Sequence, residues 1–468
     1  MHNSELANKS FANAYLYKKE RGIMKNRIQL SDHFTYKKLI HYVISPIIMM
    51  VFSSMYSIVD GFFVSNYVGK TPFAAVNLIM PVLMGLGSIG YMLGTGGSAI
   101  VAQMLGEGKR ELANCYFSML IYVTAGVSLL LSAIGFIWIR QISSMLGAEG
   151  ELLEYCVIYG RILFVSQTGF ILQNVFQSFF PTAEKPDLSL KISVAAGLSN
   201  ILLDYLFIAV LHMGIAGAAL ATAIGQLIGG IVPLFYFAGK NGSLLRLTKT
   251  SLNRRVLLKA CTNGSSEMVT NLSASVINIL YNFQLMKLAG ENGVAAYGVI
   301  MYVNFIFMAV FLGYSIGSAP LVSYHYGAGN QQELKNLFKK GMFLMSASGF
   351  ILMLLAELSS SGLVTIFASY DADLFAMTCR GFRLYSLAFI VMGVNVWGSS
   401  FFTALGDGFV SAFISFFRTF LFQIAAILLL PYFFGLDGIW LAIVAAELLA
   451  LAITLTFFAA KKKRYHYA

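Results

Sequence analysis

Leu198-Ser-Asn-Ile-Leu-Leu-Asp204-Tyr-Leu-Phe-Ile-Ala-Val210 is an apolar run that carries a single carboxylate. A charged Asp at membrane depth costs about 2.5–3.5 kcal/mol even on the gentler insertion scales, so such a residue is read first as a functional one. Asn200 and Asp204 are four residues apart and share one face of a helix. A second isolated carboxylate, Asp60, lies in the first apolar span, which runs from Ile40 to Tyr67. Together these acids suggest a proton or coupling-ion site in a transporter.

The rest of the chain has the composition of a membrane protein. It is 58% hydrophobic and 11% charged over 468 residues, where a soluble domain carries roughly 25% charged residues. The fold class expected is an all-α integral membrane protein with twelve helices. They are placed near 39–67, 72–103, 113–138, 155–181, 188–211 and 214–239, then 257–287, 293–326, 338–358, 374–405, 409–434 and 437–460. With both termini inside, 25 Lys and Arg fall on the inner side. Five fall outside (Lys70, Arg140, Lys287, Arg380 and Arg383), and Arg161 and Arg418 lie within spans. This asymmetry predicts cytoplasmic termini. The net charge of +11 sits between spans rather than on a basic soluble face, so no nucleic-acid partner is expected. The first thirty residues have no apolar signal core, and Met24 is an alternative start. The four cysteines have neither disulfide nor metal spacing, and no cofactor is expected beyond a coupling ion, H+ or Na+.

Shifting the chain by 221 residues lays its first half on its second. Gly69, Ala74, Ala75, Gly96, Gly106 and Gly108 fall on identical residues at 290, 295, 296, 317, 327 and 329. Asn174 falls on Asn395 and Thr182 on Thr403, and Gly214 and Gly217 fall on Gly435 and Gly438. Six helices per repeat is an even number, which predicts two lobes related by a pseudo-two-fold axis along the membrane normal. The divisions expected are a basic tail (1–38), a first lobe (39–239), a linker (240–256), a second lobe (257–460) and a basic tail (461–468). Glycines crowd the second span and Pro46, Pro81 and Pro320 lie within helices, read as close helix packing or as points of bending.

At 1.5 Å per residue, Asp60, Asp204 and Thr222 all fall about 10–12 Å below the outer surface. With Asn200 a turn further in, they form a polar set able to share a proton or coordinate a small cation. Four further residues are candidates for a substrate cavity. Glu267 is near the inner start of the seventh span and Glu447 in the middle of the last. Asn174 and Gln177 lie in the fourth, where a helix–helix hydrogen bond is the competing reading. His212 and His325 are at span ends and read as solvated or satisfied. The many Phe, Tyr and Met suit flat aromatic cations and suit lipid equally well.

Tyr56-Ser-Ile-Val-Asp60-Gly-Phe-Phe-Val-Ser-Asn-Tyr-Val-Gly69 resembles the first-span signature of the multidrug and toxic compound extrusion (MATE) family. Gly96-Gly-Ser-Ala-Ile-Val-Ala-Gln-Met-Leu-Gly106-Glu-Gly108 resembles its second-span ending, and Tyr326-Gly-Ala-Gly329 the copy of that ending in the other half. The resemblance implies a V-shaped plasma-membrane antiporter that exports small organic, often cationic, compounds against H+ or Na+ by alternating access, with a monomer expected to suffice. In one bacterial branch of the family the ion site is in the first lobe, and Asp60, Asn200, Asp204 and Thr222 match it with its spacings. The other branch uses acids in the seventh and tenth spans. Here the tenth span, Leu374 to Leu405, has no interior acid, and Glu267 lies near the inner end. The alternative is a lipid-linked precursor flippase of the same superfamily, which requires a cationic cavity. Only Arg161 and Arg418 are available for that. No nucleophile, metal set or acid–base pair marks an enzyme.

Overall fold

The computed structural model describes residues 28–368 and 371–468. The part of the expected basic tail before residue 28, with Met24, lies outside the described residues. The described chain is helical almost throughout, because a backbone in lipid must satisfy its polar groups internally. In chain order α1 is Tyr36–Phe63, α2 Lys70–Gly106, α3 Arg110–Met145, α4 Gly150–Thr182, α5 Pro186–Asp204 and α6 Gly214–Ala238. The pair α7 and α8 shares one 74-residue stretch, Arg254–Gly327, that breaks at Gly290. Then come α9 (Gln331–Ala368), α10 (Ala372–Ser386 and Phe389–Ala404, bent by 49°), α11 (Gly408–Phe416, resuming as Phe422–Phe434) and α12 (Leu436–Tyr465). Among the described residues ten helices are long and apolar enough to cross a membrane, and the bent α10 adds an eleventh. The break at Gly290 divides one of the ten into two, which brings the spans to the expected twelve.

The helices start where local chemistry starts them. Thr35 caps α1 through Lys38 N at 3.3 Å, Asn253 caps α7 through Val256 N at 3.2 Å, and Asp371 caps α10 through Leu374 N at 2.9 Å. The repeat is visible in the turns. Gly69 and Gly290 have φ of 109° and 62°, Gly108 and Gly329 76° and 66°, and Gly214 and Gly435 58° and 55°. Each pair lies 221 residues apart, at a turn that calls for the left-handed region glycine tolerates. Several helices run further than expected, α9 the most, at Gln331–Ala368 against 338–358. The helix α3 continues to Met145, carrying Arg140 into an ion pair with Glu154 at 2.8 Å. The helix α12 continues to Tyr465, through much of what was expected to be a tail, and the Tyr465 hydroxyl donates to Asp407 at 2.7 Å.

The two sets of six helices meet along α2, α7, α8 and α1, at contacts so close that only glycine fits. A Cβ on Gly106 would stand 2.1 Å from the carbonyl oxygen of Tyr324, and one on Gly327 2.2 Å from that of Gln103. Gln103 and Tyr324 are themselves 221 apart, so these two contacts are one contact repeated about the pseudo-two-fold axis. Off the axis, a Cβ on Gly264 would meet the Met92 carbonyl at 1.9 Å and one on Gly313 would meet Ile47 Cα at 2.4 Å. All of these positions belong to the middle of the spans and the end that carries the basic loops. The seam therefore closes the molecule at that end.

Two extended segments fasten the same end. Before α1, the Leu30 amide donates to Glu184 at 2.8 Å, and the Phe34 amide donates to Glu333 at 2.9 Å. Glu333 also contacts His33 at 2.6 Å and accepts from Asn336 at 2.7 Å. This strap ties the α4–α5 turn to α9. The linker between α6 and α7 lies along α3, where Arg246 N donates to Asn114 at 2.9 Å and Thr248 N to Ser118 at 2.8 Å. Glu333→Ala leaves the buried Phe34 amide without an acceptor. It is expected to lower stability by about 1–3 kcal/mol, read as a lower midpoint of thermal unfolding in detergent. An unchanged midpoint would show that the strap contributes nothing to stability.

Candidate functional site

Asp204 is the last residue of α5, and the chain passes directly from it into a π-helical turn, Tyr205–Val210. A π-helical turn, Val64–Val68, also follows α1, whose last turn holds Asp60. Such turns rotate side chains out of the regular helical register and recur at functional sites. Here α1, α5 and α6 bring Asp60, Asn200, Asp204 and Thr222 together. Asp204 is fully buried and Asn200 is 3% exposed. Asn200 Nδ2 reaches Thr222 Oγ1 at 3.5 Å. The Asp60 carboxyl lies within hydrogen-bonding reach of both Asp204 and Thr222.

The acceptors in this cluster outnumber its donors. Asp60 Oδ1, Asn200 Oδ1 and both carboxylate oxygens of Asp204 are buried and meet no donor hydrogen. Two ionised carboxylates cannot bond to each other, since both only accept; one must carry a proton, or a cation must lie between them. Among the described residues no Lys or Arg ion pair reaches either acid, whereas Glu447, a buried carboxylate of the last span, has one. Tyr159 of α4, 1% exposed, is close enough to feel the charge of both acids. Sequence reasoning passed over Tyr159, because one tyrosine among 24 in an aromatic-rich chain carries no signal of its own.

The repeat shows how local this cluster is. The residues 221 positions on from Asp60, Asn200, Asp204 and Thr222 are Tyr281, Leu421, Ala425 and Ile443. The second half is built on the same helices with no carboxylate at these positions.

A second polar region lies between the halves. A cavity there is lined by Tyr91, Thr95 and Ser98 from α2 and by Glu267, Ser399 and Arg418 from the second half, among others. Glu267 therefore faces the cavity rather than the membrane interface, because α7 enters against α2 with Gly264 on Met92. Of the other candidate cavity residues, Asn174 donates to the Gly87 carbonyl at 3.3 Å and so spends its amide on helix packing. Gln177 is 6% exposed and lies beside the lining residue Ser178 without lining the cavity itself. Glu447 stands one layer back, accepting from Asn395 at 2.8 Å and from Arg418 Nη1 at 3.3 Å. Arg418, read from sequence as a cation within a span and as one of two available to a flippase cavity, sits in a third π-helical turn, Phe417–Leu421. Arg161 points elsewhere, with its guanidinium 5.8 Å from the Phe136 ring. His212 is exposed in the α5–α6 turn, while His325 is 2% exposed, packed edge-on to Phe34. Among the described residues no cluster of His, Cys, Asp and Glu could hold a metal ion.

Comparison with known proteins fits this architecture. The MatE family model matches residues 46–206 and 267–429, two stretches whose starts are 221 residues apart. The multidrug export protein MepA of Staphylococcus saprophyticus subsp. saprophyticus is 23% identical over 427 residues, covering 90% of this chain and 93% of that protein. MepA of Staphylococcus haemolyticus is 24% identical over 374 residues, covering 80% and 82%. A crystal structure of a MATE protein in complex with MaL6 superposes with a TM-score of 0.88 at 21% identity, over 93% of this chain and 98% of that one. A family model matched twice, across well over half of the sequence, places this chain in the MatE family of transporters.

Proposed function

We propose that this protein is a multi-pass plasma-membrane exporter of small organic compounds, and that H+ or Na+ bound by Asp60, Asn200, Asp204 and Thr222 drives it. Its substrates are aromatic and often cationic, and one chain suffices. The observation that carries the reading is the unpaired carboxylate cluster of the first half, with four buried oxygens that meet no donor. A proton shared between the acids, or a small cation held among the oxygens, satisfies such a set. The names of the relatives, both export proteins, supply the direction of transport.

Coupling requires that the ion and the substrate bias the same two states. None of the four ion-site residues lines the cavity, so the effect must pass through a shared element. The helix α1 is that element. It holds Asp60 near one end and the cavity residue Met50 ten residues earlier. It also touches the second half, where Ser54 Oγ donates to the Phe305 carbonyl at 3.3 Å and Ile47 packs on Gly313. Ion binding at Asp60 changes the register of α1 against α8, and the seam at the basic end opens in exchange. The termini lie on the cytoplasmic side in this scheme.

The flippase alternative needs cationic groups for a pyrophosphate. Among the described residues Arg418 is the one Arg or Lys lining the cavity, a single cation for a group that carries several negative charges.

The test is ethidium transport by purified protein in liposomes under imposed gradients. The expected result is transport driven by either an inward H+ gradient or an inward Na+ gradient, and not by membrane potential alone. Failure of both gradients to move the dye would sink the antiport reading and bring the flippase forward.

A further inference from the structure

The second half carries a charge pair that the first half does without. Arg418 falls on Gly197 and Glu447 on Gln226 at the 221 offset. In the first half Gln226 simply accepts a hydrogen bond from Ser166 at 2.7 Å. The helices thus pack without an ion pair here, so packing alone does not explain Arg418 and Glu447. A buried pair is in any case a poor source of stability when apolar or neutral groups fit the same space.

The pair is also lopsided. Glu447 is well supplied, accepting from both Asn395 and Arg418. Arg418, 4% exposed, gives only Nη1 to it. Its Nε is buried and has no partner among the described residues. A guanidinium presents Nε–H and a neighbouring N–H as a parallel fork that fits a carboxylate in two bonds. Arg418 is also among the residues that line the cavity. Glu267 lines the same cavity and lies within electrostatic range of Arg418. A carboxylate and a half-used guanidinium therefore border one cavity, with hydroxyls of Ser399, Thr403 and Ser415 between helices around them.

Resting on the export reading above, we infer that this cavity is built for amphoteric organic compounds, with the ligand's cationic group toward Glu267 and its carboxylate on the free fork of Arg418. Glu447 and Asn395 hold the guanidinium in place from behind. A ligand with only a cation uses half of the site. A ligand with both charges uses all of it, and its carboxylate satisfies the Arg418 Nε that the protein leaves without a partner.

Rhodamine 110 and its methyl ester rhodamine 123 separate these cases, because they differ only in whether the carboxylate is free. Equilibrium binding of each to the full-length protein in detergent is followed by fluorescence polarisation. Arg418→Lys keeps the charge opposite Glu447 and loses the fork. It is expected to weaken rhodamine 110 by about ten- to a hundredfold, the worth of a charge-assisted bond pair, and to leave rhodamine 123 within about threefold. A double Arg418→Met, Glu447→Met variant removes both charges together and should show the same selectivity. Glu267→Gln should weaken both dyes alike. Equal losses of the two dyes in Arg418→Lys, or none, would overturn the inference and leave the export reading standing. A wild-type protein that binds the ester and not the free acid would do the same. If the wild type binds neither dye, the cavity is not a site for such compounds and both readings fall.

Discussion

Asp204→Asn is expected to abolish gradient-driven export while leaving the protein folded, and to make it somewhat more stable. The two effects have one origin. Asp204 is fully buried, and neither of its carboxylate oxygens meets a donor. A buried acceptor without a partner costs about 1–3 kcal/mol, and more if charged. The amide has nearly the same shape, carries no charge, and offers Asp60 a hydrogen-bond donor. The cost in the native protein falls, so the unfolding midpoint in detergent should rise. The same change removes the differential affinity for a cation or proton between states. A ligand that binds both states equally shifts neither, so export under a gradient should fall to passive leak. Ethidium flux in liposomes and thermal unfolding, taken together, decide the matter. A variant that exports normally shows that the cluster is structural. A variant that loses export only because it has lost several kcal/mol of stability shows the same.

Gly264→Val should act at the other end of the cycle. A Cβ at Gly264 would stand 1.9 Å from the Met92 carbonyl, with the Gly96 amide at 2.9 Å. Backbone atoms on both sides leave no flexible side chain to give way, so α7 and α2 must separate at the basic end. Overpacking of this kind costs typically about 1–3 kcal/mol. Applied to the closed arrangement alone, that is a shift of about five- to 150-fold in the balance of states. Transport should fall by a similar factor. Cross-linking through cysteines at Gln103 and Tyr324 with a short bifunctional maleimide should fall with it. Export that stays at wild-type rate with undiminished cross-linking would show that the seam is loose and that its opening does not limit transport. A matching Gly126→Val, at a glycine with nothing within 4 Å of its Cβ, serves as the control.

Much of this architecture can be read from sequence, for physical reasons that differ from part to part. The spans are legible because lipid demands long apolar helices, and the repeat because glycine is required at the same turns twice. The helix ends are less so. Both α3 and α12 extend past the apolar stretch into polar sequence, where hydropathy stops reporting but backbone hydrogen bonding continues. Asp60, Asn200, Asp204 and Thr222 stand out as polar residues in apolar runs, and three helices bring them together as depth alone suggests. Arg418 and Glu447 stand out equally, yet their pairing is not legible. It depends on the turn at Phe417–Leu421 having π rather than α geometry, and composition carries no mark of that. Glu267 lines the cavity, although its position along α7 does not by itself show where the other half closes over it. Nor does a glycine-rich span say which of its glycines touches backbone across the seam.

The seam at Gly106 and Gly327 has a consequence for what each half would do if it were made on its own. On the axis, a free first half offers a face that complements itself, since Gly106 lies against the position of Gln103 or of its counterpart Tyr324. Off the axis it does not. Where the intact chain sets Gly264 against Met92 and Gly96, a second copy of the first half would bring Val43, the residue 221 positions earlier. The branched side chain of valine has no room against the Met92 carbonyl and the Gly96 amide. Two first halves are thus barred from pairing as the two unlike halves do. Separately made halves would sort into mixed pairs, the preference being set by one residue without a side chain.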